Sequence, residues 1–310
     1  MILDKRCAVR AVVASLFCCA LAGCSGHAAH PSSVNAQPKP QVVVSMSTLA
    51  ALVQAVGDSR ISIRTLVPIG VSPETYDPRP SDLVAVSGAQ LIVMNGAGLE
   101  TWLDKLLGDA NSGATVLVLS NGMPVAGRDP HQPAGESGNP HLWLDPVYAQ
   151  AYVQKIAAAL SQIDPANAPA YAANARAEVR RLRLLDASIR EQIATVPRER
   201  RSAIVFHDAW YYFDRRYGIR DVGAIEPTPG REPSAQWFAR LVALARAQRV
   251  RAIFGEPQFS PSLVRQLADE TGVKTVTQLY DDTLGTTPQL ETYEGIMRYD
   301  VAQMLAAMKS

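Results

Sequence analysis

Cysteine is missing from nearly the whole of this 310-residue chain: all four cysteines (Cys7, Cys18, Cys19, Cys24) lie in the first 24 residues. The remainder has no disulfide, no thiolate metal ligand and no cysteine nucleophile. An excess of charge of either sign is also missing. With 30 Lys and Arg against 29 Asp and Glu the formal charge is +1, which excludes a nucleic-acid binder held by a basic face and excludes an acidic tail. Long apolar runs are absent except for one near the N-terminus, so a polytopic membrane protein is ruled out. There is no Gly-x-x-x-x-Gly-Lys-Ser/Thr loop and no short internal repeat. What is present, 47% hydrophobic and 19% charged residues, is ordinary for a folded chain. The length predicts two domains, since single cores stop growing near about 250–300 residues.

The one apolar stretch reads as a targeting segment. Lys5, Arg6 and Arg10 form a basic n-region, and residues 11–22 form an apolar run too short to span a bilayer comfortably. The following Leu21-Ala22-Gly23-Cys24 resembles a bacterial lipoprotein cleavage site. That resemblance implies cleavage after residues 1–23, acylation of Cys24, and a lipid-anchored protein of the periplasm or cell envelope. Cleavage removes Asp4 and three basic residues, taking the formal charge from +1 to −1. Residues 24–40 turn to Ser, Ala, Pro, His, Asn and Gln and predict a flexible tether, with His27 and His30 as solvated linker residues.

Beyond the tether, strand and helix signals alternate. Val42 to Met46, Ile61 to Val67, Leu91 to Met94 and Val116 to Leu119 read as strands, as do Ala203 to Phe206, Val222 to Ile225, Ala252 to Phe254 and Thr275 to Leu279. Short apolar runs separated by helix-length segments predict parallel sheets with crossover helices. Between the two sets, Val179, Leu182, Leu185, Ile189, Ile193 and Val196 recur at spacings of three and four, one apolar stripe on a long helix. Asp164 is expected as its N-cap, Pro165 as its first residue and Pro197 as its stop, giving about 30 residues and roughly 45 Å. The predicted plan is an N-terminal α/β lobe over 41–163, a linking backbone helix over 164–196 and a C-terminal α/β lobe over 197–310, closed by a helix from Leu290 to Met308.

Ligands of open parallel sheets bind beyond the carboxyl ends of the strands, where loops and helix N-termini converge. Four positions stand there: Glu74 in a Pro-restrained loop, His141 in Asn139-Pro-His-Leu-Trp-Leu-Asp-Pro146, His207 directly after its strand, and Asp281 or Asp282 after the last strand. Any one of them could be a capping or core residue. Two imidazoles with two carboxylates, drawn equally from both halves, suit a divalent transition metal. Without a cation, the same groups facing one another bear desolvation and like-charge costs.

The chain resembles the periplasmic metal-binding proteins of zinc and manganese ABC transporters, a solute-binding family that includes proteins once described as adhesins. The resemblance covers the mature chain and is carried by Asn95-Gly-Ala-Gly-Leu-Glu-Thr-Trp-Leu103, Asn139 to Pro146, Val205-Phe-His-Asp-Ala209 with Tyr212-Phe213 and Tyr217-Gly218, Phe254-Gly-Glu-Pro-Gln258, and Asp282-Thr-Leu-Gly285. It implies two α/β lobes joined by a rigid backbone helix with a metal in the interdomain cleft. It makes His141, His207 and Asp282 the second, third and fourth ligands. At the first, where the family usually has histidine in Asp-Pro-His, this chain has Ser72-Pro73-Glu74. Glu74 is expected to ligate in its place, the alternatives being a Glu74 that points away or a Glu256 that swings in. A histidine third ligand resembles the zinc branch and two oxygen ligands the manganese branch. Zn2+ is expected first and Mn2+ second, with Fe2+ also suited to added carboxylates.

The implied role is capture of one divalent cation and delivery to an ABC permease driven by a separate ATPase subunit, by a chain acting as a monomer and not as an enzyme. Protonation of His141 and His207 is expected to weaken binding as pH falls. Three rival readings are weighed. A secreted metal-dependent hydrolase would use Glu256 or Asp281 as base; an adhesin would have no transport role; a binder of a chelated metal would use Trp210, Tyr211 and Tyr212 as clamps.

Overall fold

The computed structural model describes residues 38–110, 112–126 and 138–310. Expectations for the signal segment, Cys24 and most of the tether, with His27 and His30, fall outside these residues.

Eight strands form two four-stranded parallel sheets. The first takes β1 (Gln41–Val44), β2 (Ser62–Thr65), β3 (Leu91–Met94) and β4 (Thr115–Val118) in the order β2-β1-β3-β4. The second takes β5 (Ser202–Val205), β6 (Arg220–Ala224), β7 (Ala252–Phe254) and β8 (Lys274–Val276) in the order β6-β5-β7-β8, the same arrangement repeated. The most apolar runs, β3, β5 and β7, are buried throughout and central. The mixed runs β2, β4 and β8 lie at the edges and are partly exposed. A strand covered on both faces requires the first pattern and an edge tolerates the second.

Each sheet is covered on both faces. On its outer face the first carries α2 (Pro80–Ser87) and α3 (Thr101–Ala110), and the second carries α7 (Ala235–Ala247) and α8 (Ser262–Thr271). Between the sheets lies a shared apolar core built from α1 (Ser47–Gly57), α4 (Pro146–Ile163), α5 (Ala168–Ala194), α6 (Tyr211–Tyr217) and α9 (Tyr293–Lys309). The six stripe residues from Val179 to Val196 are all buried in this core. The lobes are therefore joined by continuous packing as well as by a helix.

The start of that helix differs from expectation. Asp164 ends α4, and Pro165–Asn167 form a single 3-10 turn before α5 begins at Ala168 with 27 residues. The reason is Pro169, whose ring would clash with the carbonyl of residue 165 in a continuous α-helix. Asp164 makes no side-chain cap bond there; its carboxylate accepts from Asn167 Nδ2 and Tyr171 Oη, each at 2.7 Å. The final helix likewise begins at Tyr293, after a 3-10 turn at Pro288–Leu290. Among the described residues no helix is long and apolar enough to cross a membrane.

Candidate metal centre

All four predicted side chains leave loops at the carboxyl ends of strands. Glu74 follows β2, in a loop whose Pro73 carbonyl accepts from Trp102 Nε1 on α3 at 2.7 Å. Tyr76 sets its edge against the same indole, with centroids 5.1 Å apart, and donates to Asp82 Oδ2 at 2.7 Å. The ends of the neighbouring strands β1 and β3 are equally fixed. Glu100 accepts from Ser45 Oγ (2.7 Å), Asn95 N (2.8 Å) and Gly96 N (3.0 Å). Gly96 is required there, since its φ is +78° and a Cβ would come within 2.3 Å of Val118 Cγ1.

The imidazoles converge tip to tip. Nε2 of His141 and Nε2 of His207 are 3.1 Å apart. Glu74 Oε1 and Asp282 Oδ1 each lie 3.5 Å from His141 Nε2, and Asp282 Oδ2 lies 3.7 Å from His207 Nε2. Glu74 therefore faces the cluster and does not point away. His141, His207 and Asp282 are buried, while the Glu74 side chain keeps 17% exposure, so solvent meets the cluster at Glu74.

Each imidazole is held from its far nitrogen. His141 Nδ1 lies 3.0 Å from Asn139 Oδ1, which also accepts from the His141 backbone N–H at 3.0 Å. The Asn139 amide nitrogen donates to the carbonyl of Asp208, tying the His141 loop to the residue after His207. His207 Nδ1 lies 2.7 and 2.9 Å from the two Glu256 oxygens. Glu256 thus sits behind His207, on the opposite side from Nε2. Both contacts fix the ring whose Nε2 faces the cluster, the arrangement that orients metal-bound histidines. Nothing in the residue types marks Asn139 in advance as an orienting group. The cue is positional, an amide two residues before a candidate ligand.

The buried carboxylates differ. Asp281 Oδ1 accepts from Gln258 Nε2 (2.8 Å) and from the Asp282 backbone N–H (2.7 Å), whereas neither Asp282 oxygen has a hydrogen-bond partner. A buried carboxylate so unpaired is costly unless a cation answers it, and of the two aspartates it is Asp282 that faces both imidazoles. Burial raises Asp281 well above the usual carboxylate range, helped by the charges of Glu256 and Asp282. Burial also pushes Asp282 up, but His141 and His207 outweigh it and hold its carboxyl low. Burial raises Glu74. For His207, burial disfavours the imidazolium, yet Glu256, Asp281 and Asp282 carry it well above the ordinary histidine value.

The groups proposed for rival activities are otherwise engaged. Glu256 is bound to His207, and Asp281 to Gln258. Trp210 packs edge-on against Phe213 in the core, with centroids 5.3 Å apart, and Tyr212 Oη donates to the Asn139 carbonyl at 2.7 Å and accepts from the Ala126 N–H at 2.8 Å. Neither ring is placed as a clamp.

Comparison with known proteins places these features. Residues 42–307 match the family described as ZnuA, zinc-uptake complex component A, periplasmic. The chain is 31% identical over 271 residues to the manganese-binding lipoprotein MntA of Halalkalibacterium halodurans, covering 86% of this chain and 88% of that one. It is 27% identical over 264 residues to the iron-binding protein YfeA of Yersinia pestis, covering 85% and 84%. The structure of the periplasmic zinc-binding protein TroA of Treponema pallidum superposes with a TM-score of 0.80 at 25% identity, over 87% of this chain and 99% of that one. With its two parallel-sheet lobes and its long joining helix, the chain belongs to the ZnuA family of periplasmic metal-binding proteins.

Proposed function

We propose that this protein captures one divalent transition-metal ion through Glu74, His141, His207 and Asp282 and delivers it to an ABC permease worked by a separate ATPase subunit. The observation that carries the reading is the pairing of two imidazole nitrogens 3.1 Å apart with a buried aspartate lacking any hydrogen-bond partner. Four lone-pair donors converging in a dry site repel one another unless a cation holds them. The known relatives support the transport role: they are named as manganese-binding, iron-binding and ABC transporter substrate-binding lipoproteins.

Donor type supports zinc as first choice: two imidazole nitrogens 3.1 Å apart, with carboxylate oxygens 3.5 to 3.7 Å from them, are the ligand kinds zinc takes. Manganese is the second choice, favoured by the two oxygen donors and by the name of the relative MntA. The cargo is bound and released without chemical change, so no open coordination position and no general base are needed.

We also assign the chain to the periplasmic side of a membrane, held by acylated Cys24 and acting as a monomer, with one lobe on either side of α5 in the sequence. The deciding experiment is metal analysis of protein purified without chelators, alongside Glu74→Ala and His207→Ala. One equivalent of zinc or manganese in the parent, lost from both variants while they stay folded, is expected. Full metal content in either variant would refute the ligand set.

A further inference from the structure

A second feature lies at the other end of the C-terminal sheet. A cavity of about 380 Å³ opens where the C-terminal end of α5 meets the C-terminal end of α6. Five arginines line it (Arg190, Arg198, Arg201, Arg215 and Arg216), together with Tyr217, and among the described residues no carboxylate does. Arg201 stands just before β5 and His207 just after it. Six residues of extended chain therefore separate Arg201 from His207 by about 20 Å.

Counter-charges account for only part of this cluster. Arg216 forks onto Asp186, with Nε to Oδ1 at 2.7 Å and Nη2 to Oδ2 at 3.0 Å, and leans on Asp145 at 3.3 Å. Arg190 reaches the same Asp186 at 3.5 Å. Arg201 is held by backbone carbonyls, Val196 at 2.8 Å and Tyr217 at 3.4 Å, and Arg215 donates to Tyr211 Oη at 3.3 Å. Among the described residues, Arg198, Arg201 and Arg215 have no carboxylate within ion-pair distance. The two helix C-termini supply about half a negative charge each. Five guanidinium groups against two carboxylates and two helix ends leave an excess of about two positive charges around one concavity.

We propose that this cavity is a binding site for a phosphate group, borne either by a soluble phosphate compound or by the headgroup of an anionic phospholipid. A phosphate dianion matches the excess in sign and size, and guanidinium forks fit phosphate oxygens in pairs. Arg201 and Arg216 are half-buried and already oriented by carbonyls and Asp186, so little side-chain freedom is lost on binding. Arg198 and Arg215 are exposed and close the site from outside.

The test uses the whole protein and the double variant R198A/R215A, whose exposed side chains leave the core untouched. Inorganic phosphate and pyrophosphate are titrated calorimetrically, and co-sedimentation is measured with phosphatidylcholine vesicles with and without phosphatidylglycerol. Saturable binding of phosphate or pyrophosphate identifies a soluble ligand; retention on phosphatidylglycerol vesicles alone identifies a headgroup. In either case the double variant should bind at least about tenfold more weakly, the worth of one charge-assisted contact, with metal content unchanged. Absence of binding to all the probes, or equal binding by variant and parent, would overturn the proposal.

Discussion

Glu256 offers the sharpest test of how the metal centre works, because the geometry assigns it two opposing effects. With His207 as the proposed ligand through Nε2, its Nδ1 keeps a proton 2.7 Å from a carboxylate that orients the ring and raises its donor strength. In the metal-free form the same carboxylate, with Asp281 and Asp282, holds a second proton on His207 and raises its pKa well above the usual value. Replacement by glutamine keeps the shape and removes the charge. Above the His207 titration, Glu256→Gln should weaken zinc binding by about 10–100-fold, or about 1.4–2.7 kcal/mol. Below it, the parent loses about tenfold in affinity per pH unit, since one proton must leave before the metal enters. The variant, its imidazolium no longer supported, begins that decline at lower pH. The two curves of affinity against pH should therefore converge on acidification. Competition against a fluorescent chelator from about pH 6 to 9 reads both limbs, and calorimetry in buffers of different ionisation enthalpy counts the released proton. Parallel curves would refute the coupling. A loss beyond about a thousandfold at every pH would mark Glu256 as a ligand in its own right.

Asn139→Ala should cost about 10–100-fold in affinity by freeing the His141 ring, and Asn139→Asp, which keeps an acceptor at Oδ1, should restore most of it; chelator competition on both variants checks this. Glu74→His should raise the preference for zinc over manganese, read as the ratio of the two dissociation constants, because it exchanges a carboxylate for a neutral imidazole; a ratio unchanged from the parent would count against Glu74 as a ligand. The metal-free protein should lose stability as pH rises. His207 has its folded pKa above its unfolded value, so its contribution is complete below about pH 6.5 and disappears as pH climbs through the folded value. The raised carboxyl of Asp281 acts in the same direction. Thermal melts of chelator-treated protein at about pH 6 and 8 should show the higher midpoint at pH 6, and excess zinc should erase or reverse the difference.

Much of this architecture is legible in the chain because its signals are local. Leu91–Met94 and Ala252–Phe254 are strands at the expected residues, since uniformly apolar runs of that length have few alternatives inside a parallel sheet. The stripe from Val179 to Val196 fixes the buried face of α5 for a similar reason. Edges were less readable. The apolar run Thr275 to Leu279 pairs only as far as Val276, because the chain must turn away there to bring Asp281 and Asp282 toward the histidines. The break at Asp164 turned on Pro169, whose effect appears only when the carbonyl four residues earlier is considered. At the centre itself the residue types and strand-end positions could be read, but their orienting partners could not. Glu256 reaches His207 across 49 residues, a distance that no spacing rule covers.

The same geometry limits how the ion can move. Opening the lobes by a hinge would have to part a core that runs without interruption from one sheet to the other, where Trp143, Trp210, Phe213 and Tyr293 are all buried. At about 25 cal/mol per Å² of apolar surface, exposing even one such side chain costs kilocalories that ion binding would have to repay. The Glu74 loop faces no such constraint. It carries the least buried of the four donors, and one aromatic contact and a few hydrogen bonds fasten it. Across the seam, the Gly70 N–H on this loop donates to Thr283 Oγ1 at 2.9 Å, next to Asp282. Displacing the loop therefore breaks a contact of the Asp282 segment and opens the side of the cluster that already meets solvent, while His141 and His207 stay fixed by Asn139 and Glu256. Metal exchange by this route needs no separation of the lobes, which is what a long buried helix and a shared core permit.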